Sequence, residues 1–197
     1  MSEESMLRLT LDTSTVIHGA QGQRYGPQID ELVELAHAGR IGLWITTAFG
    51  NDQERASADK LQRNLSWLSE RPLIGTVPGA FRLDYSRIGI DTVLLSEDQK
   101  VVAMTIDEIL LPQAYRVGNL RNGDEAVMAK WRRKANDVQH LVAHLIAGHD
   151  AFVTSDDDDM LKKRTQLRAR TGIVVVDPAE AVQMARGQAL STPVTRD

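Results

Sequence analysis

Short apolar, β-branched runs alternate along this chain with apolar stripes at helical spacing. Leu7 to Leu11 is the first such run, and it predicts a buried strand that ends on Asp12. Gly19, Gly22 and Gly26 then predict a loop. Pro27 suits a first helical position, and Ile29, Leu32, Val33 and Leu35 make one face of a helix ending at Gly39. Ile41 to Thr47 predicts a second strand. Asn51 and Glu54 have capping-box spacing for a helix running to about Leu68.

The middle of the chain is poorly patterned. Residues 71–90 carry Pro72, Gly75, Pro78, Gly79 and Gly89 and predict a loop with a short edge strand. Thr92 to Leu95 suits another short strand. Ser96 and Gln99 predict a capped helix through Leu111, stopped by Pro112, and Asn122-Gly123 is a breaker. Residues 124–147 hold neither glycine nor proline, so one long helix or two abutting ones fill the span. Val142, Leu145 and Ile146 give it an apolar stripe, and Gly148 stops it. Phe152 to Thr154 is a short strand. Residues 160–170 form a basic helix ended by Gly172, residues 173–176 a buried strand, and Asp177-Pro178 opens a last helix. Strands alternating with helices predict an α/β fold with a mostly parallel sheet. Apolar runs near both ends fit strands covered on both faces.

A length of 197 residues suits one domain, taken as residues 1–186 with a flexible tail at 187–197. The sequence has no cysteine, which excludes disulfide frameworks, thiolate zinc sites and cysteine nucleophiles. No apolar run reaches membrane-spanning length, and the acidic start lacks the basic and apolar regions of a signal peptide, so a cytoplasmic protein is expected. The net charge of −4 advertises no global basic field.

The chemistry gathers around carboxylates. Asp12 follows the first strand, Asp52 lies just past the second, and Asp156 follows the third apolar strand and opens a run of four aspartates. Ligands of an open parallel sheet bind outside the carboxyl ends of its strands. Parallel strands would therefore set Asp12, Asp52 and Asp156 on one edge. Asp137, in the helix leading to the Phe152 strand, can join them. Asp158 and Asp159 read as solvated or outer carboxylates. With Asn51 as cap, Glu54 closes a capping box, which leaves Asp52 to face the site. Several carboxylates without a phosphate-binding loop suit a hard cation such as magnesium or manganese. Such ions activate water and hold the oxygens of an in-line phosphoryl displacement.

Four stretches together resemble the PIN domain family. They are the strand ending on Asp12-Thr13-Ser14, the Asp137-x-x-His140-Leu141 helix, the Phe152-Val153-Thr154-x-Asp156 strand end and the finish from Gly172 to Pro178. The resemblance covers roughly residues 7–48 and 124–186. It implies an α/β/α sandwich and a ribonuclease dependent on Mg2+ or Mn2+, as in toxins of toxin–antitoxin pairs and in RNA-processing enzymes. Asp12, Asp137 and Asp156 match the family's first, third and fourth acids and are the implied catalytic residues. The second acid, a glutamate in the family, falls at Asp52, which completes the implied metal set. An antitoxin or other regulatory protein and a homodimer are the implied partners.

Basic residues flank the acids. Arg132, Arg133 and Lys134 precede Asp137, and Lys162, Lys163 and Arg164 follow Asp156. They suit phosphate contacts that position an RNA strand without reading its sequence. His140 and His144 stand at i, i+4 spacing without the glutamate of a zinc-protease helix, and are assigned to packing. The sequence reading is a single-domain, metal-dependent ribonuclease acting on single-stranded or structured RNA. The alternative is a nucleic-acid or protein binding module of the same fold without nuclease activity.

Overall fold

The computed structural model describes residues 6–53, 56–71, 74–80, 92–111 and 125–187. The first apolar run forms β1 (Leu7–Leu11), followed by α1 (Thr13–Gln21), α2 (Gly26–His37) and β2 (Ile41–Thr46). Next come α3 (Ala48–Gln53), α4 (Ala58–Ser69), β3 (Ile74–Val77), β4 (Gly79–Ala80) and β5 (Thr92–Val93). The chain continues through α5 (Glu97–Leu110), α6 (Glu125–Ala147), β6 (Ala151–Val153), α7 (Met160–Thr171), β7 (Val175–Val176) and α8 (Pro178–Ala185).

The main sheet has five strands in the order β3-β2-β1-β6-β7, all parallel. The chain builds outward from β1 to β3, then returns to the other side of β1 with β6 and β7. The strand order therefore reverses between β1 and β6, where open α/β sheets form their binding crevice. A small parallel pair, β4 with β5, stands apart.

Strand alternation sorts side chains between two helical layers. Leu9, Leu11, Leu43, Val153 and Val176 pack with Val16 of α1, Ile29 and Leu32 of α2, Trp67 of α4 and Val182 of α8. On the opposite face, Phe152 and Val175 meet Ile109 of α5, Leu141 of α6 and Leu167 of α7. The result is the expected α/β/α sandwich. Burying a side chain the size of Phe152 contributes about 1.5–3 kcal/mol.

Helix boundaries follow their signals where a cap is local. Ser96 with Gln99 and Asp177 with Glu180 both close reciprocal capping boxes. Residues 124–147 resolve into one long helix, described from Glu125. Gly148 and Gly172, at φ 60° and 77°, end α6 and α7 in the left-handed region.

Two expectations need correction. The predicted loop at Gly19 is helix α1. Its glycine is a packing device, since a Cβ there would sit 2.8 Å from Trp67 and 2.9 Å from Ile29. Residues 48–69 form two helices instead of one. Asn51 lies inside α3, tied to Asn136 at 3.5 Å, and Ser57 begins α4 in an extended conformation. Residues 74–77 form the expected short edge strand, on the main sheet, where Gly75 gives room for the Trp44 indole: a Cβ would lie 2.5 Å from its ring. Glu54, Asn122-Gly123, all of 81–90 and the tail beyond 187 lie outside the described residues.

Candidate metal centre

β1 ends at the N-cap of α1, and Asp12 occupies that position without its side chain capping an amide of the helix. Its backbone N–H donates instead to Val153 at 2.9 Å, which fixes it against the end of β6. Asp12 Oδ2 accepts from Ser14 Oγ at 2.6 Å and from Thr154 Oγ1 at 2.8 Å. Thr154 Oγ1 in turn accepts the Asp156 backbone N–H at 3.0 Å. One hydroxyl therefore sets the first acid against the acid two residues beyond its own strand. Asp156 Oδ1 accepts the amides of Asp158 and Asp159 at 3.0 and 3.1 Å, folding the aspartate run into a turn.

Asp137 reaches the same place from the middle of α6. Ligand atoms of Asp137, Asp156 and Asp159 lie within 4.8 Å of one another. Asp137 Oδ2 is closed off from solvent and has no hydrogen-bond partner. Burial first, then the negative charge of Asp12, pushes the Asp137 carboxyl well above its ordinary value. Two lysines stand beside the acids. Lys134, one helical turn before Asp137, is 4 % exposed and its ammonium contacts Asp159 Oδ2. Burial lowers it from its ordinary value against the pull of Asp137. Lys163 of α7 lies within electrostatic reach of Asp137 and Asp156 and is likewise lowered by burial.

Asp52 has a different partner. Its Oδ2 is 2.9 Å from His140 Nε2, while His140 Nδ1 is 2.6 Å from Thr46 Oγ1. His140 Nε2 also lies 3.9 Å from Asp12 Oδ1. Burial alone would lower His140, yet the hydrogen bond and charge of Asp52 hold it above its ordinary value. Burial alone would raise Asp52, and His140 holds it below. Each partner thus favours the charged form of the other beneath the acids. His144, one turn on, is neutral: burial lowers it to about 3, and its Nδ1 meets Thr10 Oγ1 at 2.9 Å.

The structure thus gathers Asp137 and Asp156 directly, sets Asp12 beside them through Thr154 and by charge, and joins Asp52 to His140. Asp159 and the role of His140 were missed in the sequence. The spacing of Asp156 and Asp159 across a turn that opens a helix was the available sign for Asp159. The basic residues divide. Arg132 and Arg133 are exposed, with Arg133 3.8 Å from Asp159. Lys134 turns inward, contrary to a surface phosphate contact. Lys162 is exposed and bonds Asp158 at 3.2 Å, while Arg164 forks onto Glu180 at 2.8 and 2.9 Å. No protein-family model matches this chain, and no curated protein matches it. Among the described residues, no helix is long and apolar enough to cross a membrane.

Proposed function

We propose that this protein hydrolyses RNA phosphodiester bonds with a divalent cation held at the carboxyl edge of the sheet, in the cytoplasm. The observation that carries the reading is the buried, unpartnered Asp137 oxygen within a cluster completed by Asp156 and Asp159. A buried carboxylate without a donor is costly, and a hard cation satisfies it. The donor set is all oxygen, which fits magnesium or manganese.

Asp137 and Asp156 would hold the ion, with Asp159 and Asp12 at its border. When bound, such an ion supplies charge against a phosphoryl oxygen and makes water more acidic. The protein's own groups do the rest. Ser14 and Thr154 hold the Asp12 carboxylate in one orientation. The amides of Asp158 and Asp159 hold Asp156. Lys163 faces the acids from the first turns of α7 and suits a phosphate contact. When protonated, His140 offsets the negative charge of Asp52 below the site.

One observation favours the second reading, a binding module without cleavage: Asp52, the residue at the second-acid position, is engaged with His140. Cleavage of single-stranded RNA in manganese by wild type and Asp156→Asn separates the two. Cleavage lost in the variant supports the nuclease. RNA binding without cleavage by wild type in either manganese or magnesium supports the module.

A further inference from the structure

The two lysines set a charge count. With every group ionised around a bound cation, Asp12, Asp137, Asp156 and Asp159 supply four negative charges at the site, and Lys134 and Lys163 two positive ones. Asp52 and His140 cancel each other. The remainder of −2 equals the charge of one divalent ion. Lys134 also blocks geometrically. Its buried ammonium contacts Asp159 Oδ2, the oxygen that a second ion beyond Asp159 would need. Arg133 approaches the same oxygen at 3.8 Å but is 66 % exposed, so water screens it.

We propose that Lys134 is a tethered cation closing the Asp159 side of the cluster, so that the centre takes one divalent ion instead of two. This rests on the metal reading above. The ammonium belongs to a buried residue of α6 three positions before Asp137, one helical turn from that acid. A second ion placed at Asp159 would meet a fixed positive charge in a water-poor site, where repulsion is strongest.

Manganese stoichiometry tests the idea, by calorimetric titration and by native mass spectrometry, with no turnover involved. Wild type and Lys134→Arg are expected to bind one ion, and Lys134→Met two. Lys134→Gln serves in place of the methionine variant if the latter does not fold, as judged by circular dichroism. One ion in wild type and in both neutral variants overturns the proposal, as do two ions in wild type. Absence of any bound ion in wild type overturns the metal reading itself, and is thereby told apart.

Discussion

His140 and Asp52 form an ion pair in the protein interior, with Nε2 2.9 Å from Oδ2 and the imidazole side chain 1 % exposed. Both ring nitrogens have oxygen partners: the bond to Asp52 needs a proton on Nε2, while the Thr46 hydroxyl can donate to Nδ1 or accept from it. The pair ties α3 to α6 under the acidic cluster. It gives Asp52 a structural task, so amidation of this residue costs more stability than the sequence suggests.

Folding raises His140 above its ordinary 6.5 and lowers Asp52 below its ordinary 3.8. A raised histidine contributes fully below pH 6.5 and loses its contribution as pH climbs through the folded value. A lowered carboxylate contributes above pH 3.8 and loses it as pH falls through the folded value. His144 works oppositely, subtracting stability as pH drops from 6.5 towards about 3. Comparing wild type with Asp52→Asn isolates the pair. The variant is expected to lose about 2–3 kcal/mol near pH 6, and the difference to shrink as pH rises above 6.5. Melting curves from pH 5 to 9 measure this, and a difference that does not vary with pH would dismiss the ion pair.

Asp137 has the reverse sign from an ordinary paired carboxylate. Its raised folded value means that stability is lost as pH rises from 3.8 through that value. Asp137→Asn is therefore expected to stabilise the cation-free protein at neutral pH, by roughly 1–3 kcal/mol. It should also remove the gain given by manganese, which for wild type is about 2.7 kcal/mol at a hundredfold excess over Kd. Thermal melts with chelator and with manganese check both. A variant less stable than wild type in chelator contradicts the assignment.

Lys163 and Arg164 are adjacent but differently employed. Lys163 faces the acids, whereas Arg164 is forked onto Glu180. Lys163→Gln is expected to reduce the slope of log affinity for RNA against log salt by about 1, because one fewer counterion is released. Arg164→Gln is expected to leave that slope unchanged while lowering the melting temperature. Filter binding across salt concentrations reads the difference, and equal slopes for wild type and Lys163→Gln would turn α7 away from the RNA.

Much of the fold was legible because its signals are local. The strand at Leu7–Leu11, the Ser96 and Asp177 caps and the stops at Gly148 and Gly172 each depend on a few neighbouring residues. So did the placing of Asp12 and Asp156 at strand ends. Glycine misled where its reason was distant. Gly19 makes way for Trp67 and Ile29, contacts that no local rule foretells. The fates of Asp52 and Lys134 were hidden likewise, since His140 and Asp159 lie 88 and 25 positions away.

The position of β1 has a consequence during synthesis. β1 is flanked by β2 on one side and by β6 on the other, and about a hundred residues of chain separate those neighbours. On the ribosome, at roughly 5–20 residues per second, β1 waits about 5–20 s with one edge unpaired before β6 is made. Asp12 waits about 6–30 s for Asp137, Asp156 and Asp159. A nascent chain therefore has no assembled acidic cluster until residues 137–159 have emerged.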